Sequence, residues 1–391
     1  MILNNVKLLN DNDPVSIIIK GSKIEALDAH ARRSDEAFQL DLNGAVAFPG
    51  LINSHDHLDF NCFPQLGDRN YQNYTEWGKH IHERYSADIE AVLKIPEGLR
   101  ATWGMYKNLL AGVTTVVNHG AVLNIKNPLV NIEKTSQSLH SVAFEKNWKQ
   151  KLNNPLLKNK ICVIHAGEGV DEGSSKEIDQ LLQWNLLKRK LIAVHGVAMN
   201  IEQAKKINAL VWCPVSNQFL LNRHADIEHL KQHTKLLFGT DSTLTADWNI
   251  WHHLRAARET ALVTDAELFE TLTRTPANIW GYNCGEISKH KDADIVVART
   301  GNNWDDLYGI DPENILLVIQ QGVIRMFDAA LLPQFDQMHF DTSTFSLVNM
   351  NGHVKFVAGD LPAVMAAIKM YYPKADFPCT VYAKTKITAD A

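Results

Sequence analysis

The positions of the histidines constrain this chain more than any bulk property does. There are 17 histidines in 391 residues, and several stand where a short apolar run ends. The run beginning Leu51-Ile52 leads into His55-Asp56-His57. Residues 161–164 lead into His165 and, three positions on, Glu168. Residues 191–194 lead into His195, and residues 236–238 into Gly239-Thr240-Asp241-Ser242. Side chains two apart on a strand share a face, so His55 and His57 can meet one cation. Each feature alone has a plain structural explanation. An HxH pair arises by chance in a histidine-rich chain, a strand-end histidine is often a polar rim residue, and Asp241 reads as a helix N-cap. Four separate strands ending in His, His, Glu or Asp in this order are not explained that way. In a (β/α)8 barrel such ends converge on one mouth, where catalytic residues collect.

The rest of the chain is consistent with that architecture. From about residue 51 to 284, short apolar runs alternate with helical patterns, which signals βα units and a parallel sheet. Strands are predicted at residues 113–117, 161–164, 191–194, 210–212 and 236–238. Helices are predicted at 176–187, 201–207, 227–232 and 248–262. The first fifty residues instead read as short strands punctuated by turns such as Asn10-Asp11-Asn12-Asp13-Pro14. The same style returns at 293–297 and 315–324. The organisation predicted is a composite β-sandwich domain (1–50 plus 285–335) around an inserted metal-binding barrel (51–284). Residues 336–391 form a C-terminal appendage to which no role is assigned. It contains a hairpin at 344–350 and 354–358 joined by Asn351-Gly352, a helix at 361–371 and a last strand near 380–383.

Composition narrows the functional class. Hydrophobic residues are 45% and charged residues 21%, as in a soluble globular protein. The net charge of −5 leaves no electrostatic footprint for nucleic acid. No apolar run approaches the roughly 18 residues that span a bilayer, and the N-terminus lacks a secretory pattern. The five cysteines are widely spaced without a CxxC, so a reducing, cytoplasmic setting is expected.

The order HxH, HxxE, His, Asp on successive strands resembles the amidohydrolase superfamily, in its cytosine deaminase and chlorohydrolase-like branch. Flanking residues are similar as well. They include Ala47-Phe48-Pro49-Gly50-Leu51-Ile52 before the HxH, and Gly112-Val113-Thr114-Thr115 opening the second strand. Cys213-Pro214-Val215-Ser216-Asn217 resembles the stretch after the seventh strand, and Lys291-Asp292-Ala293-Asp294 the return to the small β-domain. The resemblance covers residues 1 to about 330. It implies that His55, His57, His165 and Asp241 are ligands of one divalent ion, Zn²⁺ or alternatively Fe²⁺. Such a cation lowers the pKa of its water toward roughly 7. It further implies that Glu168 shuttles the proton. His195 hydrogen-bonds the nucleophile or the developing tetrahedral centre, and Asp241 doubles as base. Trp77, Asn118, His119 and Ser242 are candidate substrate contacts, and Tyr74, Glu76 and His80 could line the long first loop.

One departure from the family is visible in the spacing. His165 lies only 46 positions beyond His119, and the third and fourth strands must both fit between them. A crossover alone takes at least about 10–12 residues, so the barrel is expected to lack a helix or a strand there. Only residues 139–144 read clearly as a strand. Binuclear relatives carry a modified lysine at the end of the fourth strand. Glu145-Lys146 is the nearest equivalent, and a single metal is favoured. The expected activity is hydrolytic deamination of a small amidine-containing heterocycle, purine- or pyrimidine-like. The alternatives are opening of a cyclic amide, as in imidazolonepropionase-like members, and a non-catalytic scaffold that has lost activity. The expected partner is a small-molecule substrate, with neither nucleic acid nor membrane, and a homodimer is an assembly common among relatives.

Overall fold

Eight short parallel strands position the histidines and acids. A computed structural model describes residues 1–28, 38–120, 122–123 and 125–382. We number the inner strands β1 (Leu51–Asp56), β2 (Val113–Asn118), β3 (Asn131–Ile132), β4 (Gln137–Ser141), β5 (Cys162–Ala166), β6 (Leu191–His195), β7 (Ala209–Trp212) and β8 (Lys235–Phe238). Their runs are apolar rather than alternating because parallel strands under helices are buried on both faces. Ile52, Val117, Val163, Val194, Val211 and Leu237 share one buried cluster, which fills the space between strands below the polar ends.

The strands form two parallel sheets, β1-β2-β3 and β4-β5-β6-β7-β8. On one side the two meet through backbone hydrogen bonds. The amides of Thr240 and Asp241, just past β8, both donate to the carbonyl of His55 at 3.1 and 3.0 Å. On the other side, among the described residues, no ladder joins β3 to β4, so the barrel is not closed by pairing. The shortening falls where the spacing predicts it. Strand β3 has two residues, and residues 133–136 connect it to β4 without a helix. Glu133 shapes that turn by accepting from the amides of Thr135 and Ser136.

The chain ends build one eleven-stranded sheet. Val46–Pro49 from the N-terminal part pairs antiparallel with Ile295–Ala298 from the C-terminal part. Strands of the expected composite sandwich and of the expected C-terminal appendage share this one sheet. Hairpin Phe345–Met350 and His353–Ala358 continues the same sheet by pairing with Val323–Asp328. Thr380–Val381 adds a final strand beside Phe345–Met350, while Ala383, the expected end of that strand, lies outside the described residues. Among the described residues, no helix is long and apolar enough to cross a membrane.

The C-terminal segment also reaches the site indirectly. Helix Leu361–Tyr371 packs on helix Glu97–Leu110, and Phe377 meets Trp103 edge-on at 4.7 Å. Helix Glu97–Leu110 in turn presses on the turn Leu58–Phe60 that follows His57. Gly104 makes this approach possible, because a Cβ there would lie 2.1 Å from the carbonyl oxygen of Leu58. Gly104→Ala is therefore expected to cost about 1–3 kcal/mol by overpacking. Thermal unfolding should show a lowered Tm, and an unchanged Tm would contradict the closeness of this contact.

Candidate active site

The polar ends of β1, β5, β6 and the β8 loop converge on one buried cluster. His55 Nε2 lies 3.1 Å from His165 Nε2. Asp241 Oδ1 lies 3.7 Å from His55 Nε2 and 3.6 Å from His57 Nε2. Two sets of side chains, His55–His57–Asp241 and His55–His165–His195, each bring their ligand atoms within 4.8 Å of one another. His195, to which the sequence assigns contact with the nucleophile rather than a ligand role, contributes an atom to the second of these sets. All five residues are at most 9% exposed.

Local backbone explains the aim of two of them. Val194 belongs to the interior cluster, so a regular strand would turn His195 outward. His195 instead has φ +70°, and its ring stacks on His165 with centroids 5.2 Å apart. Asp241 has φ +59°. Left-handed backbone at non-glycine residues costs of order 1–3 kcal/mol and gathers at functional sites. Gly239 lets the β8 loop reach β1, since a Cβ there would sit 2.6 Å from His55 Cβ.

The electrostatics suit a cation. Burial lowers the proton affinity of His55, His57, His165 and His195, which keeps the imidazoles neutral and able to ligate. His165 Nδ1 donates to the carbonyl of His140 at 2.7 Å, and His195 Nδ1 to Asn217 Oδ1 at 2.8 Å. Those bonds fix the tautomers and turn the Nε2 lone pairs inward. Burial opposes ionisation of Asp241, but its interactions with His55, His57 and His195 outweigh it, so the carboxyl is held well below its usual range. Its oxygens accept from Ser216 Oγ at 2.8 Å, Thr245 Oγ1 at 2.9 Å and the Ser242 amide at 2.9 Å. Neutral imidazoles, one anion and fixed outer partners form a donor set that fits Zn²⁺ or a similar divalent ion. Glu168 behaves oppositely. Burial first, then the charges of Asp241 and Glu177, raise its proton affinity well above the usual carboxyl range. Its Oε1 lies 3.6 Å from His195 Nε2.

A second buried network braces the cluster from behind. Asp56, alternating away from His55, pairs with Lys107 at 2.9 Å and accepts from Asn108 Nδ2 and Asn61 Nδ2. Lys107 also donates to Asn61 Oδ1, and Asn53 spans from Asp56 to Thr240. The HxH strand is thereby tied to the β8 loop through side chains the substrate never meets.

A cavity of about 270 Å³ opens onto His57, His165, Glu168, His195, Asp241 and Ser242. Trp77 and Tyr74 line it too, from helix Tyr74–Arg84. Other expected contacts lie elsewhere. Asn118 Oδ1 accepts from the Leu58 amide at 2.9 Å, which holds the turn after β1. His119 is 2% exposed behind the cluster, with its ring 4.2 Å from that of His165, and does not reach the cavity wall. Glu76 caps its own helix region through the Gln72 amide, and His80 pairs with Asp68 at 3.0 Å. Lys146 is exposed, away from the buried cluster, and Glu145 pairs with Lys151. Ser216, Asn217 and the His140 carbonyl support the cluster yet carried no assigned role in the sequence. The Cys213-Pro214-Val215-Ser216-Asn217 stretch was the available signal for two of them.

Residues 156–325 match the family described as "Amidohydrolase family". The chain carries an amidohydrolase-family domain. That matched span supplies His165, Glu168, His195 and Asp241, while the fold brings in His55 and His57 from outside it. Over 161 residues, 36% of this chain, it is 28% identical to a 5-methylthioadenosine/S-adenosylhomocysteine deaminase from Pyrococcus abyssi, and it spans 38% of that relative's length. In fold, the chain is similar to an adenosine deaminase from Xanthomonas campestris with bound zinc. The TM-score is 0.70 at 14% identity, over 96% of this chain and 98% of that one. A guanine deaminase from C. acetobutylicum with bound guanine gives 0.63 at 13% identity, over 83% and 99%. An atrazine chlorohydrolase from Arthrobacter aurescens complexed with zinc gives 0.61 at 17% identity, over 83% and 94%. At such identities the likeness is one of fold.

Proposed function

We propose that this chain hydrolytically deaminates a small amidine-containing heterocycle, purine- or pyrimidine-like, with one divalent cation, zinc by preference, held by His55, His57, His165 and Asp241. The observation that carries this reading is Glu168. It is a buried carboxyl of raised proton affinity that faces the cavity beside the ligand set without belonging to it. The deaminases among the relatives support the same reaction class.

A bound divalent cation supplies Lewis acidity and makes a hydroxide nucleophile accessible near neutral pH. The chain's own groups do the rest. Glu168 takes a proton from the attacking water and gives it to the ring nitrogen of the amidine, which relieves the charge that attack pushes onto that atom. His195, with Nδ1 committed to Asn217, offers its Nε2 lone pair to a water proton and orients the nucleophile. Asp241, held ionised, is the base for the later proton transfer that lets ammonia leave.

The test is metal analysis joined to an ammonia-release screen over heterocycles. About one divalent ion per chain is expected, with ammonia release that a chelator removes and zinc restores. A ring-opened product without ammonia would favour the cyclic amide reaction instead. Full metal loading with no hydrolysis of any compound would favour the scaffold.

A further inference from the structure

Glu168 stands where the backbone has little stiffness of its own. It follows the end of β5 at Ala166 and lies between Gly167 and Gly169, the residue type with the greatest conformational freedom. The segment after β1 supplies what is missing. The Tyr74 amide donates to the Glu168 carbonyl at 3.0 Å, and the Val170 amide to the Gln72 carbonyl at 2.8 Å. Asn73 and Gly169 face each other in this short antiparallel bridge. A Cβ at Gly169 would lie 2.7 Å from Asn73 Cβ and would force the two segments apart.

Side chains fasten the bridge to helix Glu172–Trp184, which follows the Glu168 loop. Asn73 Nδ2 donates to Asp171, the N-cap of that helix. Tyr74 Oη donates to Glu177 Oε1 at 2.9 Å and accepts from the Ala143 amide at 3.3 Å. Glu177 Oε1 also accepts from the Val142 amide at 3.1 Å. Tyr74 is therefore held at both ends, by its amide on Glu168 and by its hydroxyl on Glu177 and the turn after β4. Tyr74 and Glu177 are 4% and 9% exposed, so little water competes for these bonds. The turn after β4 belongs to the shortened quarter of the barrel, where the next helix, Trp148–Leu152, has five residues. The pair ties that quarter to the β5 unit in addition to the β4–β5 ladder.

We propose that Tyr74 and Glu177 are positioning residues for Glu168, their hydrogen bond strapping the segment after β1 to the loop after β5. This rests on the proton-shuttle role given to Glu168 above. A carboxyl that takes a proton from one atom and gives it to another must keep both within reach, and a displacement of about 1 Å can cost roughly 10²-fold in rate. Neither the Tyr74 hydroxyl nor the Glu177 carboxyl carries that proton. Each acts through the main chain of Glu168, and Glu177 does not line the cavity.

On the zinc-loaded protein, Tyr74→Phe and Glu177→Leu should each lower kcat by about 10- to 100-fold, with KM and bound metal nearly unchanged. Tyr74→Phe keeps the ring and its packing, so the fold should survive the loss of the hydroxyl. Glu177→Gln retains an acceptor for the Tyr74 hydroxyl and the Val142 amide, and its kcat should stay near that of the unmodified protein. The double variant Tyr74→Phe/Glu177→Leu should be no slower than the slower single one, because the two residues act as a unit. A loss in Glu177→Gln as large as that in Glu177→Leu would overturn the strap. Glu168→Gln, measured alongside, separates the strap from the shuttle. If Glu168→Gln is crippled while Tyr74→Phe and Glu177→Leu keep full kcat, the shuttle stands and the strap fails. If Glu168→Gln keeps full turnover, the shuttle fails, and hydrogen exchange decides the strap. In Glu177→Leu the amides of Tyr74 and Val170, both remote from the altered side chain's own bonds, should exchange about tenfold faster or more. Unchanged protection at those two amides would overturn the strap even in a protein that turns nothing over.

Discussion

Replacing Glu168 by Gln is expected to lower kcat by about 10²–10⁴-fold, the usual contribution of general acid–base catalysis. The upper part of that range is expected because one carboxyl serves two proton transfers. The substitution preserves shape and removes only the mobile proton. Glu168 is not among the residues whose ligand atoms cluster, so metal content should remain that of the unmodified protein. Burial, and after it the charges of Asp241 and Glu177, give the native carboxyl its high proton affinity. An amide in the same place has no titratable proton to exchange. Paired measurements of kcat and bound metal decide the matter. Loss of metal would make Glu168 a ligand, and wild-type turnover would leave the proton transfers to Asp241 and the solvent. Either outcome would weaken deamination relative to plain amide hydrolysis.

The strand ends were legible because two simple rules act on them together. Apolar runs in parallel strands are buried on both faces, and their C-terminal ends share a mouth. That is enough to bring His55, His57, His165 and Asp241 together from three distant segments. The missing helix before β4 was legible from distance along the chain alone. His195 illustrates what was not. Its position at the end of a run was readable, but its inward aim depends on a left-handed φ, which even histidine, enriched there among non-glycine residues, adopts in only a small share of cases. The partners of the cluster were hidden for a different reason. The carbonyl of His140 is backbone and leaves no mark in the sequence. Ser216 and Asn217 act across a helix start on side chains more than twenty positions away. Asn118 misled because it sits at a strand end like a catalytic residue, yet its carboxamide is spent on the Leu58 amide. The long C-terminal hairpin read correctly as a hairpin. Its place in the large sheet follows from edge pairing with Val323–Asp328, which periodicity does not encode.

Asp241→Asn should instead damage binding and turnover together. The native carboxylate carries the one negative charge in a set otherwise made of neutral imidazoles, and its Oδ1 faces both His55 and His57. Asparagine keeps the volume and can still accept from Ser216 and Thr245, so the loop should remain folded. What is lost is the anion that offsets the cation and the base that receives a proton. Removing an outer partner of a metal ligand typically costs about 10–100-fold in affinity, and removal of a charged ligand should cost more. Metal analysis after gel filtration should therefore fall well below one ion per chain. Turnover should drop by more than the roughly 10⁴-fold limit set for Glu168→Gln, because the two functions fail at once. Excess zinc should recover part of the first loss and little of the second. If Asp241→Asn retained its metal fully, Asp241 would act only as a base, and the ion would rest on His55, His165 and His195, the second set of ligand atoms brought together in the fold.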